Sequence, residues 1–230
     1  HYNEPNTESL FHKTLGTDFT LNKTGFRVDY DEFENDLITL QGDVYKSDME
    51  LDRFLPDTAG VNRLKDNLDI YGGNISSKWE HQISDKEETQ LQLYYDKDVR
   101  SHSLLSRKYQ TFDADFQYSN SLKERHKLTS GLGYRGIHSD LDGSSFRLNF
   151  NPAKCKTQLY SGFIQDEIAL LPDKVFLTLG SKIEHNNFTG YEVQPSVKTS
   201  WLVTQDQTLW ASIARATRTP NISEYDINVV

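Results

Sequence analysis

Two stretches decide the fold: Thr89-Gln90-Leu91-Gln92-Leu93-Tyr94-Tyr95-Asp96, then Thr111-Phe112-Asp113-Ala114-Asp115-Phe116-Gln117-Tyr118. In the first, Leu91, Leu93 and Tyr95 oppose Gln90, Gln92 and Asp96. In the second, Phe112, Ala114, Phe116 and Tyr118 oppose Asp113, Asp115 and Gln117. An apolar residue at every second position marks a strand with one greasy face and one wet face. The period extends both ways along the chain. Ile38, Leu40 and Val44 oppose Thr39, Gln41 and Asp43; Val175, Leu177, Leu179 and Ile183 oppose Thr178, Gly180 and Lys182. Val193, Pro195, Val197 and Trp201 oppose Gln194, Ser196, Lys198 and Ser200. Only the phase of Tyr160 to Ile168 stays open, because Phe163 and Ile164 are adjacent.

Read this way, the chain holds ten strands: 25–33, 37–49, 69–84, 88–100, 106–120, 125–138, 157–171, 174–187, 191–204 and 207–217. Most are longer than the about 5 or 6 residues usual in globular sheets, and they reach the about 9 to 11 that a tilted membrane strand needs. Short polar turns join alternate pairs, at Glu34-Asn35-Asp36, Ser84 to Glu87, Ser121 to Glu124, Pro172-Asp173-Lys174 and Gln205-Asp206-Gln207. Between them lie longer links, Glu50 to Leu68, Arg100 to Ser106 and Ser139 to Lys156, with a shorter one at Asn186 to Tyr191. Short turns at one end and long loops at the other are the pattern of a bacterial outer-membrane barrel, with the short turns periplasmic.

Composition agrees. The 230 residues are 36% hydrophobic, yet they include 12 Tyr, 12 Phe and 3 Trp. Mean hydropathy is -0.68. A disordered chain this polar would be poor in aromatics. No stretch approaches the about 20 apolar residues of a membrane helix. A net charge of -9 argues against nucleic acid as a partner. A single cysteine, Cys155, excludes an internal disulfide and a multi-cysteine zinc site. His102, His126, His138 and His185 are widely separated, and no H-E-x-x-H, P-loop, G-x-S-x-G or C-x-x-C motif occurs. Neither a cofactor nor enzymatic activity is expected. An outer-membrane lipase or protease would need a Ser–His or Asp–His pair on neighbouring strands, which sequence alone does not exclude.

The C-terminal third carries a family pattern. It reads Phe163-Ile164-Gln165-Asp166-Glu167, then Gly180-Ser181-Lys182-Ile183-Glu184-His185-Asn186, then Gln194-Pro195-Ser196. It closes with Trp210-Ala211-Ser212-Ile213-Ala214-Arg215-Ala216-Thr217-Arg218-Thr219-Pro220. In order and spacing this resembles the mid-barrel of TonB-dependent outer-membrane receptors. Gly25 to Asp29 and Leu40 to Tyr45 look like early barrel strands of that family. The resemblance implies a barrel of 22 strands around an N-terminal plug, with a TonB-engaging segment and transport driven from the inner membrane. On that reading residues 1–230 are a partial barrel domain without the plug or the C-terminal strands, which folds stably only with its missing half. The implied cargo is a metal chelate, an iron–siderophore above all; a passive porin and a surface β-rich binding module are the alternatives.

Site expectations follow from phase and position. Lys182, Glu184, Gln194 and Lys198 should face the lumen, where they would meet the plug or line the path. The basic residues of the outer loops, Arg100, Arg107, Lys108, Arg147, Lys154 and Lys156, could attract an anionic chelate. Their plainer role is contact with lipopolysaccharide phosphates. Gln165, Asp166, Glu167, Pro195, Trp210, Arg215, Arg218 and Pro220 are family-motif positions with structural roles. Tyr71, Trp79, Tyr134, Trp201 and Trp210 suit aromatic girdles or lumen packing.

Overall fold

A computed structural model describes residues 7–8, 14–15, 19–57, 60–103, 105–123, 125–143, 148–150, 153–218 and 227–229. Ten strands form one antiparallel sheet: β3 (Phe19–Phe33), β4 (Asp36–Asp57), β5 (Gly60–Ser84), β6 (Glu87–His102), β7 (Leu105–Leu122), β8 (His126–Gly143), β10 (Lys154–Leu171), β11 (Val175–Asn186), β12 (Gly190–Thr204) and β13 (Gln207–Ala214). Each of these pairs with the next in chain order, so the sheet is a plain meander. Its edge strands β3 and β13 do not pair with each other, and the sheet is not closed. Two short ladders stand apart: β1 (Thr7–Glu8) with β2 (Thr14–Leu15), and β9 (Leu148–Phe150) with β14 (Ile227–Val229).

The register carries every alternating set onto a common face. Val28, Leu40, Ser77, Leu93, Ala114, Tyr134, Tyr160, His185 and Tyr191 follow one another across paired strands on one side. Asp29, Thr39, Lys78, Gln92, Asp115, Gly133, Ser161, Glu184 and Glu192 do so on the other. Phe163 lies opposite Gly131 and so joins the polar side; Ile164 joins the apolar side. A Cβ at Gly131 would strike the Phe163 ring, so this glycine makes room for a bulky aromatic on the polar face.

Burial is inverted relative to a soluble protein. Among the described residues only Val99 and Leu141 are buried hydrophobics, whereas Thr39, Ser47, Asp113, Ser119 and Ser139 are buried polar ones. Meanwhile Leu132 is 68% exposed and Ile213 is 75% exposed. A lone sheet with its apolar face bare is stable only if that face meets hydrocarbon. Tyr71 and Trp79 bound the apolar band on β5. Their separation is about 27 Å along the strand, or about 21 Å for a tilt of about 40°. That fits within an apolar belt about 25 Å tall.

The ends of the strands depart from expectation. Glu50 to Leu68 is not a long loop: β4 and β5 stay paired out to Asp57 and Gly60. The links at Arg100 to Ser106 and Ser139 to Lys156 shrink likewise, since His102 pairs with Leu105 and Asp140 with Lys154. Beyond the membrane both faces of a hairpin meet water. The alternation fades there although the backbone ladder continues. β3 also starts earlier than expected, at Phe19. At the other end β13 stops at Ala214 and not at Thr217. Arg215 donates its backbone N–H to the Pro195 carbonyl at 3.0 Å, but proline has no N–H to return, and the ladder ends there.

Local chemistry fixes the turns. Lys123 and Asp173 take the left-handed conformation at turns of the short-turn end. At the far end the buried Asn186 accepts from the backbone of Phe188 and Thr189 at 2.8 and 2.9 Å. Gly190 closes that turn at φ 74°.

The two-faced register makes a direct prediction. Phe116→Arg, on the apolar face near mid-band, should destabilise the folded protein by about 2 to 4 kcal/mol, whereas Gln117→Arg next to it should cost under about 1. Denaturant midpoints of the two variants in detergent check this; equal losses would refute the assignment of faces.

Candidate functional site

The polar face is a web of charges held by cross-strand geometry. Arg27 grips Asp29 with two hydrogen bonds of 2.8 and 2.9 Å, and Thr39 donates to the same carboxylate at 2.7 Å. Lys23 pairs with Asp43 at 3.2 Å. Arg135 reaches across β7 and β8 to the buried Asp113 at 2.5 Å. Tyr45 of β4 donates to Asp98 of β6 at 2.8 Å, passing over β5. It can do so because Gly72 lies between: a Cβ there would sit 2.6 Å from the tyrosine hydroxyl. Apart from Arg27–Asp29, two residues apart on one strand, none of these links was legible in the sequence, because each depends on the register between strands.

Lys182, Glu184, Gln194 and Lys198 all lie on this face, and three of them touch. Lys182 Nζ is 2.6 Å from Glu184 Oε1, and Gln194 Nε2 donates to Glu184 Oε2 at 2.7 Å. The same amide meets the Thr217 hydroxyl at 2.9 Å. Lys198 stands exposed opposite Thr178, two rows toward the short-turn end. Next to this cluster Arg215 turns back over β12, donating to the Val193 carbonyl at 2.7 Å and to Glu192 at 3.0 Å. The segment after β13 is therefore tied to the polar face.

The motif residues divide by parity. Gln165 and Glu167 are on the polar face, opposite Gly180 and Thr178. Asp166 points the other way and meets His126 Nδ1 at 2.7 Å. Pro195 is on the apolar face opposite Ser181. Trp210 is on the polar face, 70% exposed, while Tyr71, Trp79, Tyr134 and Trp201 share the apolar one. Arg218 is exposed. Pro220 and Arg147 lie outside the described residues.

The basic residues expected in outer loops stand on strands, because pairing runs past the membrane, and they split between the faces. Arg100 and Arg107 lie directly opposite each other on the polar face, near the outer end. Like charges so placed repel. Here Asp98 takes Arg100 at 3.2 Å, and the Arg107 guanidinium lies 5.6 Å from the Tyr109 ring centre. Just beyond them, Asp66 of β5 accepts from the Ser103 backbone and hydroxyl at 3.0 and 2.9 Å, anchoring this hairpin end. Lys108, Lys154 and Lys156 lie on the opposite face. Among the described residues no group of three His, Cys, Asp or Glu side chains could hold a metal.

A family model described as "TonB dependent receptor-like, beta-barrel" matches residues 2–228. The chain belongs to this family. No curated protein matches it by sequence. Several solved structures share its fold. A mutant of the ferric enterobactin receptor PfeA from Pseudomonas aeruginosa aligns with TM-score 0.74 and 17% identity, over 96% of this chain and 36% of that one. The siderophore receptor PirA from the same organism gives 0.69 and 16%, over 89% and 34%. The copper transporter OprC gives 0.71 and 12%, over 95% and 40%. This TonB-dependent receptor wall thus spans little more than a third of the solved chains it resembles, and the likeness at these identities is one of fold.

The clamp on Arg215 is testable in the full receptor. Arg215→Ala should cost more than Glu192→Gln, because it removes the bond to the Val193 carbonyl as well as the ion pair. The coupling between positions 192 and 215 in a double-mutant cycle should stay below about 1 kcal/mol for so exposed a pair. Coupling well above that would mean that the ion pair, and not the carbonyl, holds the segment.

Proposed function

We propose that this chain is part of the wall of an outer-membrane receptor that imports a metal chelate, an iron–siderophore, with energy delivered through TonB. The observation that carries the reading is the opposed Arg100–Arg107 pair on the polar face at the outer end of β6 and β7. Two arginines on one side of a wall suit a multiply charged anionic chelate, because each guanidinium can present a planar fork to carboxylate or catecholate oxygens. Family membership supports the transport class. So do solved relatives of like fold, one of them the ferripyoverdine receptor of the outer membrane of Pseudomonas aeruginosa bound to ferripyoverdine.

In this reading the polar face is the lumen. Ligand captured above meets Arg100 and Arg107. The ion-paired cluster of Lys182, Glu184 and Gln194, with Lys198 nearby, faces the plug domain of the whole receptor. Pulling on the plug by TonB would expose these groups in turn. Their bonds to one another keep the wall polar and satisfied while the plug moves.

Uptake of an iron chelate by cells expressing the full-length receptor, with and without a working TonB system, tests the mechanism. Loss of uptake without TonB is expected; uptake independent of TonB and graded by solute size would make the protein a passive porin. Arg100→Ala combined with Arg107→Ala should weaken chelate binding by about tenfold or more, since a hydrogen bond to a charged group is worth about 1.5 to 3 kcal/mol. Unchanged affinity in the double variant would remove the arginine pair from the ligand path.

A further inference from the structure

Lys108, Lys154 and Lys156 share the apolar side of the sheet with Lys97 and His138. The register places Lys97, Gln110, His138 and Lys156 in one row across β6, β7, β8 and β10. Lys108, Asp140 and Lys154 form the row above. Asp140, 3.4 Å from Lys154 Nζ, answers this patch from within, and the next row out carries Asp69 and Asp142 on the same face. Lys97 lies 5.9 Å from the Tyr71 ring centre. The remaining lysine charge faces outward, away from the lumen, where no chelate would pass.

Beneath the cations the surface changes in steps. First come tyrosines whose hydroxyls point toward the charged rows: Gln110 donates to Tyr95 at 2.9 Å, and Gln158 to Tyr134 at 3.3 Å. The Tyr134 ring leans over Gly136, where a Cβ would sit 2.8 Å from its hydroxyl. Below the Tyr134–Tyr160 row lies an apolar groove of about 480 Å³. Leu132, Ile164 and Ile183 form its sides, and Ser130, Gly162 and Ser181 leave its floor low. Lys156 and Gly162 are six residues apart on β10, about 20 Å along the strand. The other rim of this face has the opposite character. Its strands carry Asp36, Glu87 and Asp166, bonded to Trp79, Tyr118 and His126, and lysines and arginines of this rim are confined to the turns among the described residues.

We propose that this patch and groove bind one molecule of lipopolysaccharide, with the phosphates on Lys97, Lys108, Lys154 and Lys156 and an acyl chain in the groove beneath the tyrosines. The proposal rests on the outer-membrane placement argued above, which puts this rim in the outer leaflet. A phosphorylated glycolipid supplies anionic groups at the level of the lysines, sugar hydroxyls at the level of Gln110 and Gln158, and hydrocarbon below. The sequence order of cation, amide, tyrosine and small residue along β10 matches that order of depth.

The test uses the full receptor purified in mild detergent, with bound lipopolysaccharide counted by native mass spectrometry. The wild type should retain the glycolipid. Replacing all four lysines with glutamine should lower retention by at least about tenfold, at about 1 kcal/mol per cation near an anionic surface, and replacing them with arginine should preserve it. Enzymatically dephosphorylated glycolipid, added to the delipidated wild type, should bind at least tenfold less; this arm needs no variant to fold. Equal retention by the glutamine variant, equal binding of the dephosphorylated lipid, or equal binding of phosphatidylglycerol would each overturn the proposal. Chelate uptake is read separately: TonB-independent uptake alongside lysine-dependent glycolipid binding would sink the importer and leave this site standing.

Discussion

Everything in this wall depends on unbroken pairing of the backbone. In hydrocarbon an unpaired N–H or C=O has no water to turn to, so each strand must be matched along its full membrane depth. The chain meets this by the simplest route, a meander in which every strand bonds to its predecessor and its successor. Once that ladder is fixed, side chains have no choice of face. One residue's parity then decides whether it meets lipid or lumen, and a slip of one position would exchange the two sets completely. The wall therefore needs almost no packed core: the solvent on each side does the sorting that a core does elsewhere.

That is also why the fold was readable and the sites were only half so. Period two is a local signal. Leu91 to Tyr95 and Phe112 to Tyr118 announce their strands without reference to anything else in the chain. The shared phase of Lys182, Glu184, Gln194 and Lys198 follows from the same signal, and the structure places all four on the polar face. Phe163 and Ile164 could not be phased because both are apolar; Gly131, on a different strand, decides between them. The six basic residues illustrate the other limit. Sequence grouped them at the outer loops and strand ends without giving any of them a face. Arg107 and Lys108 are neighbours in the chain, yet they end on opposite sides of the sheet, one on the polar face and one on the apolar face. Tyr45 and Asp98 are 53 residues apart, and only the register brings them together.

The two rims of the apolar face show how far chemistry can differ at equal hydrophobicity. Both are bordered by aromatic side chains. Lysines line the strands at one rim and hydrogen-bonded carboxylates at the other. The polar face, in contrast, neutralises its charges internally, through Arg27 with Asp29, Arg135 with Asp113 and Lys182 with Glu184. Arg100 follows the same habit with Asp98, although the register sets it directly opposite Arg107.

The projection of β4 and β5 has a mechanical side. Phe19 of β3 pairs no further than Met49, and Asp69 of β5 faces Ser101 of β6. Beyond that level β4 and β5 pair only with each other, so a plate ten strands wide narrows to a ribbon of two. Bending rigidity rises steeply with width, and isolated two-stranded ribbons twist more than sheets do. A load applied to the ribbon is therefore taken up at its root, beside Met49 and Leu68, and little of the displacement travels into the plate. Whatever docks on the outside can swing this blade while the membrane-spanning wall holds its shape.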